Sequence, residues 1–536
     1  MKRRDFLRST AAGAAAGAIA PTLLGSIPVF AKTPAGVLGS NALDNDGILI
    51  IIQLFGGNDG LNTVIPAEDD RYHNIRPQLR VPKEVAKRYA TSNVFLHPAL
   101  VNNIYINNRD SAGLMGLLDK GWLAVIQGIG YDNPNLSHFR STDIWMSGIN
   151  SSDPEVRLHD GWLGRFLIQK YTDFPLNVPD YPLCIQIGGS VSLAFQSEKG
   201  DTAIALLNPT EFFERGKGLA PEDDYLPGND NFEKEYNFVR SVAEKSDKFG
   251  PAIKNAYDAG KTTLKEYYTD FDKQMGLVAR LISGGLKTKI FMLNMGGFDT
   301  HVQQQDVSYG GIHPNLMNTL ASGITKFMNE AVVQGFANRV VGMTVSEFGR
   351  RPYENGSRGT DHGAASVQFV FGTKVIGGVY GNNPDLTNFN NNGDVNYQYD
   401  YRRVYADVLQ TWFGASVAES DTILNEHIVP LPVLRPPESV GVAEQPPLVP
   451  VSEGFFSVSP NPAAAAPAAR FELKREAAVE VSVFSVLGKR VAMAYSGVLP
   501  AGVQNIRLGA DLPAGEYVCE LSVAGRRLHV PFAIVR

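Results

Sequence analysis

Residues 47–55 read GILIIIQLF, an apolar run that leads directly into the polar, glycine-rich segment GGNDGLN at residues 56–62. A strand buried on both faces of a sheet has this near-continuous apolar character. Similar runs occur at 123–127, 183–187, 289–295, 339–345 and 367–371, and helical periodicity lies at 114–120, 162–170, 251–282, 314–333 and 403–413. Strands separated by helices predict a three-layer α/β fold with helices on both faces of the sheet.

The overall composition sets the first limits on function. The chain has 536 residues, of which 44% are hydrophobic and 19% are charged, so it holds enough apolar material for a large core. Its 49 Lys and Arg against 55 Asp and Glu give a net charge of -6, which excludes a global positive field for nucleic acid. Two cysteines, Cys184 and Cys519, are too few for a four-cysteine zinc site or a multi-bridge disulfide framework.

Residues 1–31 have the features of an export signal. A basic start, an Ala/Gly-rich run at 11–20 and the small-residue motif VFA at 29–31 follow the order of such signals. The segment RRDFL at 3–7 resembles the twin-arginine signal, whose machinery exports folded proteins. A general secretory signal or an N-terminal anchor is the alternative. Two prolines interrupt the apolar stretch, so we expect no transmembrane segment in the mature protein.

The C-terminal part differs in character from the rest. Residues 430–453 are crowded with proline, as in an extended linker, and residues 454–536 alternate apolar and polar side chains between turns, which predicts a small all-β sandwich. The segments SPNP at 459–462, VFSVLGKRV at 483–491 and LPAGEY at 512–517 resemble the C-terminal sorting domain of type IX (Por) secretion. Together the two resemblances imply both export machineries as partners, with passage through the periplasm to the cell surface or the medium. A generic immunoglobulin-like binding module is the alternative for the tail.

Four polar segments lie where chemistry is expected, since ligands of open α/β sheets bind at the carboxyl ends of strands. They are GGNDGLN at 56–62, NMGGFDTH at 294–301, TVSEFGRR at 344–351 and GTDHG at 359–363. Mixed Asp and His side chains suit zinc or manganese, with calcium and magnesium as the alternatives. Two such metals about 4 Å apart would clamp the oxygens of a phosphoryl or sulfuryl transfer. Taken alone, each segment also fits a tight turn or a helix cap.

These segments, with Ser137-His138-Phe139, resemble an exported bacterial family called domain of unknown function 1501, within the alkaline phosphatase and sulfatase superfamily. The resemblance spans residues 44–415 and implies an alkaline phosphatase-like domain at 44–429. The ligands of that superfamily follow a fixed chain order. On that order the resemblance implies that the metals are held by Asp59, Asp299, His301, Asp361 and His362, with Glu347, His313 or His427 as further ligands.

The nucleophile departs from the pattern. In several branches of the superfamily a hydroxyl side chain lies four residues before a histidine, but Pro134 takes that place before His138. Ser137 is the nearest candidate, although a serine here is also typical of a helix N-cap. Arg350 or Arg351 would bind the non-bridging oxygens of an anionic ester.

Two functions therefore stay open. The first is an exported metal-dependent hydrolase of a small anionic ester or of a sulfated or phosphorylated glycan, with Ser137 or a metal-activated hydroxide as the attacking group. The second is a surface-displayed metal- or ligand-binding protein on the same fold that has lost its nucleophile, as Pro134 suggests. The sulfatase branch is disfavoured, because Cys184 lacks the Cys-x-Pro-x-Arg context of its precursor residue.

Overall fold

The computed structural model describes residues 45–437 and 451–535, apart from gaps at 107–108, 176–177, 218–230, 264–267, 465, 474–476, 486–489, 510–511 and 524–525. Its contacts divide the chain into two compact units, one up to Ser439 and one from Val440. The predicted signal at 1–31 and residues 438–450 of the predicted linker lie outside the described residues. Within the described stretches, no helix has the length and apolar character needed to cross a membrane.

A mixed sheet of nine strands forms the centre of the larger unit, counted over the described residues. Strand Ile48–Leu54 pairs in parallel with both Ile290–Met295 and Val340–Val345, so the carboxyl ends of these strands share one edge. In spatial order the strands are Gly378–Tyr380, Leu123–Gly130, Ser366–Phe371, Val340–Val345, Ile48–Leu54, Ile290–Met295, Cys184–Ile187 and Ala203–Leu206, and Tyr399–Asp400 also pairs with Leu123–Gly130. Only Ser366–Phe371 runs antiparallel to its neighbours.

The first strand shows why the sheet has helices on both faces. All seven of its residues are buried, as the apolar run predicts. Successive side chains of a strand point to opposite faces. Ile50 packs in a cluster with Met275, whereas Leu49 packs in a separate cluster with Trp162, and both partners lie on helices. The predicted three-layer α/β class is confirmed.

Helices and short elements surround the sheet. The helices of the described residues are Gly60–Thr63, Asp70–Ile75, Gly113–Asp119, His138–Ser147, Trp162–Lys170, Pro209–Gly216, Asn231–Ala259, Asp270–Ser283, Ile312–Val333, Arg402–Asp407 and Val417–Leu424. Short 3-10 turns are Pro98–Leu100, Leu193–Phe195 and Ala337–Arg339, and a π turn is Val408–Trp412. Short strands outside the main sheet are Val64–Ile65, Lys87–Arg88, Phe95–Leu96, Ile104–Ile106, Arg109–Ser111, Gly349–Arg350 and His362–Gly363.

One helical prediction is wrong in its extent. The periodic stretch 251–282 is two helices, Asn231–Ala259 and Asp270–Ser283. The first ends where the Gly260 N–H donates to the Ala256 carbonyl, and the second begins at Thr269, whose side chain caps the helix by accepting from the Asp272 N–H. Continuous apolar spacing hides this break, because capping depends on single residues.

The second unit is all-β in its described residues. One antiparallel sheet contains Val451–Ser459, Ala468–Leu473 and Gly502–Arg507, and the other contains Arg490–Leu499, Ala477–Ser485, Gly515–Val523 and Arg526–Ile534. Alternate residues such as Val479 and Val481 are buried in one core with Cys519 and Leu521. The predicted all-β C-terminal fold is confirmed, and its sorting role stays a prediction.

Candidate metal centre

Asp299 lies in the loop after strand Ile290–Met295, beside the end of the first strand. The Phe298 N–H donates to the Phe55 carbonyl with an N–O distance of 3.2 Å, which ties this loop to that strand. Gly56 permits the close approach, because a Cβ there would lie 2.2 Å from the Asp299 nitrogen. Its φ of +123° also lies in the region that favours glycine. The segment GGNDGLN is therefore a close-approach turn that seats Asp299 at the sheet edge.

Three imidazoles surround Oδ1 of Asp299. The Nε2 atoms of His301, His362 and His138 lie 3.1, 3.3 and 3.6 Å from that oxygen. The Nε2 atoms of His301 and His362 are 3.0 Å apart. Ligand atoms of His138, Asp299 and His362 all lie within 4.8 Å of one another. Three nitrogens and one oxygen thus converge from three separate segments of the chain.

His138 and His362 are each oriented by an acceptor at the other ring nitrogen. Nδ1 of His138 lies 2.9 Å from Oε1 of Glu347, and Nδ1 of His362 lies 2.8 Å from the Leu136 carbonyl oxygen. An ionised carboxylate and a carbonyl only accept hydrogen bonds, so each Nδ1 carries the proton. In the neutral form of each ring Nε2 then carries no proton, and this is the tautomer that binds a metal through Nε2.

Asp361 has the same role for His301. Its Oδ1 lies 3.0 Å from Nδ1 of His301 and accepts from Nδ2 of Asn355 at 3.1 Å. The hydrogen bond from Asn355, with the hydrogen bond to His301, holds the pKa of Asp361 below its ordinary value. The family resemblance implies a ligand at this position, whereas in the structure this oxygen orients a neighbouring ring.

Glu347 lies beneath the cluster and is fully buried. Its Oε1 accepts from the Gly56 N–H at 2.7 Å as well as from His138. The hydrogen bond to Glu347 raises the pKa of His138 above its ordinary value, despite the partial burial of the ring. The resemblance implies that Glu347 is a further ligand, whereas in the structure its Oε1 orients the ring of His138.

Arg350 fixes the carboxylate of Asp299. Its Nη2 donates to Oδ1 of Asp299 at 2.7 Å, and its guanidinium also donates to the carbonyls of Gly57, Thr360 and Phe298 at 2.8, 2.8 and 2.9 Å. Burial alone would raise the pKa of Asp299, but the hydrogen bond and charge of Arg350 outweigh it and hold that pKa below its ordinary value. Because Arg350 is buried, it stabilises the floor of the cluster and does not face a substrate.

The cluster is open to solvent on one side. The side chains of Asp299 and His301 are 48% and 39% exposed. Phe55 is also exposed, and its ring centroid lies 5.7 Å from that of His138. Partial burial lowers the pKa of His362 below its ordinary value. A ligand from solvent can therefore reach the convergent atoms directly.

Asp59 lies apart from this cluster. It is fully buried, and its Oδ2 pairs with Nη1 of Arg76 at 2.6 Å and accepts from Nε2 of Gln304 at 2.5 Å. Burial alone would raise the pKa of Asp59, but the charge of Arg76 holds it below its ordinary value. The structure therefore differs from the expected ligand role, because an arginine already neutralises this carboxylate.

His313 and His427, the two further histidine candidates, also lie outside the cluster. His313 is buried with Nε2 3.1 Å from Oδ1 of Asn58, and burial lowers the pKa of His313 to about 3. His427 is exposed and pairs with Asp421 at 2.9 Å. The additional imidazole comes instead from His138, which sequence reasoning used only as part of a family motif. A usable signal existed, because His138 follows strand Leu123–Gly130, whose carboxyl end reaches the same edge of the sheet.

Ser137 and Arg351 lie next to cluster residues. Ser137 is exposed at the N-cap of helix His138–Ser147, and its side chain makes no capping hydrogen bond. The Arg351 side chain is 46% exposed, and its Nε lies 3.7 Å from Oδ1 of Asp394. Ser137 thus lacks the capping bond that a serine at this position commonly makes.

One family model matches part of the chain. Residues 241–425 match the family described as protein of unknown function (DUF1501). The match includes Asp299, His301, Asp361 and His362, and it begins after His138. No curated protein matches the chain.

Several solved structures are similar to the chain. A protein in the alkaline phosphatase superfamily from Vibrio parahaemolyticus has 9% identity and a TM-score of 0.28, covering 64% of this chain and 63% of its own. The PsFucS1 sulfatase from Pseudoalteromonas sp. has 10% identity and a TM-score of 0.30, covering 86% and 83%. CopC from Methylosinus trichosporium OB3b has 19% identity and a TM-score of 0.11, covering 15% and 88%. Because these TM-scores are low, the likeness assigns neither a substrate nor a metal.

Proposed function

We propose that the cluster binds a divalent metal ion and that the protein is a metal-dependent hydrolase of phosphate or sulfate esters. The ligands would be Nε2 of His138, His301 and His362 and Oδ1 of Asp299. The observation that carries the proposal is the convergence of three imidazole nitrogens on one carboxylate oxygen. Lone pairs that face each other at 3.0 Å, as in His301 and His362, repel unless a cation or a proton lies between them.

The spacing fits a four-coordinate ion. Zinc binds imidazole nitrogen at about 2.0–2.1 Å, and a tetrahedron of that radius has edges of about 3.3 Å. Four of the six separations among these atoms are 3.0, 3.1, 3.3 and 3.6 Å, close to this value. The three residues whose ligand atoms all lie within 4.8 Å of one another are His138, Asp299 and His362. Three imidazoles with one carboxylate favour zinc or manganese, since calcium and magnesium prefer oxygen ligands.

The residues around the cluster have defined roles in such a reaction. A bound divalent ion would polarise an ester oxygen and lower the pKa of a water molecule. Arg350 keeps Asp299 ionised and in place, and Glu347 holds the ring of His138. Ser137 is exposed beside His138, so its hydroxyl is one candidate for the attacking group and water is the other.

A metal-binding role without turnover is the second candidate. Pro134 favours it, because a proline stands where several superfamily branches carry the nucleophilic hydroxyl. Arg350 also favours a role without turnover, because its N–H groups already donate to carbonyls of the protein. An arginine that binds an anionic substrate would need those donors. The metal site is common to both candidates, and turnover separates them.

Metal content and ester hydrolysis test the proposal. We expect the purified wild type to hold a stoichiometric divalent metal and to hydrolyse 4-nitrophenyl phosphate or 4-nitrophenyl sulfate. His138→Ala should lose both properties, because it removes one of the four ligands. His427→Ala is the matched control and should keep both, since His427 is exposed and pairs with Asp421. A His138→Ala protein that retains its metal, or a wild type without metal, would overturn the proposed site.

Ser137→Ala distinguishes the remaining possibilities. Loss of hydrolysis with the metal retained assigns the attacking hydroxyl to Ser137, and retained hydrolysis assigns the attack to water. A wild type that binds metal and hydrolyses neither ester supports the binding role.

We also propose export by the twin-arginine and type IX machineries, on the sequence motifs alone. N-terminal sequencing of the protein recovered from the cell surface or the medium tests this proposal. We expect residues 1–31 to be absent, and an intact N-terminus on surface-exposed protein would contradict a cleaved signal.

A further inference from the structure

Gln304 is a buried glutamine that follows His301 in the loop after strand Ile290–Met295. Its Oε1 accepts from Oγ1 of Thr300 at 2.8 Å and from Oγ1 of Thr360 at 2.6 Å. Its Nε2 donates to Oδ2 of Asp59 at 2.5 Å. These three partners are themselves buried. A single amide group therefore joins three segments of the chain that are distant in sequence.

The two threonines stand next to proposed metal ligands. Thr300 lies between Asp299 and His301, and Thr360 lies two residues before His362. The Thr360 N–H donates to the Thr300 carbonyl at 3.1 Å, so the two segments are in contact through their main chains. The Nε2 atoms of His301 and His362 come from these two segments and lie 3.0 Å apart. The spacing of the segments therefore controls the spacing of two ligand nitrogens.

Asp59 fixes the orientation of the Gln304 amide. An ionised carboxylate only accepts hydrogen bonds, so it must face the NH₂ group and not the oxygen of the amide. The amide oxygen is then left to accept from both threonine hydroxyls. Nη1 of Arg76 lies 2.6 Å from the same Oδ2, and this cation keeps Asp59 ionised. The buried pair of Asp59 and Arg76 thus determines which way the amide points.

We propose that Gln304 is a positioning residue that holds the segments of His301 and His362 at the spacing a four-coordinate ion needs. The inference rests on the proposed metal site, and it gives the buried Asp59–Arg76 pair a role there, which is to orient Gln304. Gln304 acts on the ligands through the two threonines. Residues outside the ligand set typically change metal affinity 10- to 100-fold, and we expect the lower figure because Gln304 acts through other side chains.

Competition between the full chain and a chromophoric chelator for zinc tests the inference. Gln304→Met keeps the length of the side chain and removes the amide, so we expect zinc affinity to fall about tenfold. Gln305→Met is the matched control. Gln305 is also buried, but its side chain contacts His97 and the Leu79 carbonyl, so this variant should bind zinc as the wild type does.

The visible spectrum of the cobalt(II)-loaded proteins separates positioning from general stability. The absorption bands of bound cobalt depend on the number and geometry of its ligands, whereas a lower folding stability leaves the bands of the metal-saturated protein unchanged. We expect the bands of Gln304→Met to differ from those of the wild type in position and intensity. The bands of Gln305→Met should match the wild type.

A pair of variants at Thr360 tests the same contact with a smaller change. Thr360→Val keeps the shape of the side chain and loses the hydroxyl, so it should weaken zinc binding. Thr360→Ser keeps the hydroxyl and should bind zinc as the wild type does. In the Gln304→Met background, Thr360→Val should add no further loss, because its acceptor is already gone. Equal zinc affinities for Thr360→Val and Thr360→Ser would contradict the role of this hydrogen bond.

The inference and the metal site fail in different ways. Thermal unfolding of the metal-free proteins shows which variants fold. A folded Gln304→Met protein with the zinc affinity and cobalt spectrum of the wild type would overturn the positioning role and leave the metal site intact. A wild type that takes up neither zinc nor cobalt would overturn the metal site, and the positioning role with it.

Discussion

Replacing Glu347 by glutamine tests how strongly a partner outside the ligand set controls the metal centre. Oε1 of Glu347 accepts from the Gly56 N–H at 2.7 Å and from Nδ1 of His138 at 2.9 Å, while Oε2 is buried without a hydrogen-bond partner in the described residues. Glutamine keeps one acceptor oxygen for both donors. It removes the negative charge and places an amide N–H₂ where no acceptor is described.

The expected loss follows from these two changes. Removing the outer partner of a metal-bound histidine typically weakens metal binding 10- to 100-fold, or about 1.4–2.7 kcal/mol. The retained carbonyl preserves the orientation of the ring, whereas loss of the charge makes His138 a weaker base. Because Glu347 is fully buried, water screens its charge little, so we expect the charge to matter more than the geometry. We therefore expect zinc affinity to fall about 30-fold.

Competition with a chromophoric chelator measures this affinity. Glu211→Gln is the matched control, because Glu211 is an exposed carboxylate that pairs with Arg215 on a surface helix. Thermal unfolding of the metal-free proteins checks that both variants fold. A folded Glu347→Gln protein that binds zinc as tightly as the wild type would refute the assignment of His138 as a ligand oriented by Glu347.

Two further predictions concern buried charges away from the cluster. Arg76→Met leaves Asp59 buried without its cation, so we expect the free energy of unfolding to fall by about 3–5 kcal/mol in urea denaturation, with partial recovery when Asp59→Asn is added. An Arg76→Met protein that is as stable as the wild type would contradict a stabilising role for the buried ion pair of Arg76 and Asp59. Asp407 accepts from the Val433 and Leu434 N–H groups, and burial raises the pKa of Asp407 from 3.8 to about 6. The folded state then binds this proton more tightly than the unfolded chain, so the stability that the proton contributes is complete below about pH 3.8 and is lost as the pH rises through about 6. Asp407→Asn should accordingly be more stable than the wild type near pH 8, by up to about 3 kcal/mol, and lose that advantage near pH 4. If the free energies of unfolding of Asp407→Asn and the wild type differ by the same amount at pH 4 and pH 8, the raised pKa is contradicted.

The sequence predicts the central sheet well, because a strand that is buried on both faces consists almost entirely of apolar residues. The apolar run at 47–55 indicates a central strand, and Ile48–Leu54 is that strand. The helical stretch 251–282 is less well predicted, since its break depends on Gly260 and Thr269. Hydrophobic spacing reports which face is buried, and it carries little information about where a helix is capped.

The site is only partly predictable for a related reason. Asp299, His301 and His362 lie together, as the motifs after the strands suggest. Asp59 also follows a strand, but Arg76, seventeen residues later, forms an ion pair with it and neutralises its charge. No local sequence pattern predicts this pair. Arg350 and Arg351 are indistinguishable in sequence and take opposite sides of a ribbon. Partners distant in sequence therefore decide which charged residues are free for chemistry.

The most direct test is a crystal structure of the zinc-loaded protein with anomalous data collected at the zinc edge. We expect one strong peak about 2.0–2.1 Å from Nε2 of His138, His301 and His362 and from Oδ1 of Asp299. A peak at Asp59 or His313 instead, or no peak at the cluster when zinc is present in excess, would contradict the metal centre described above.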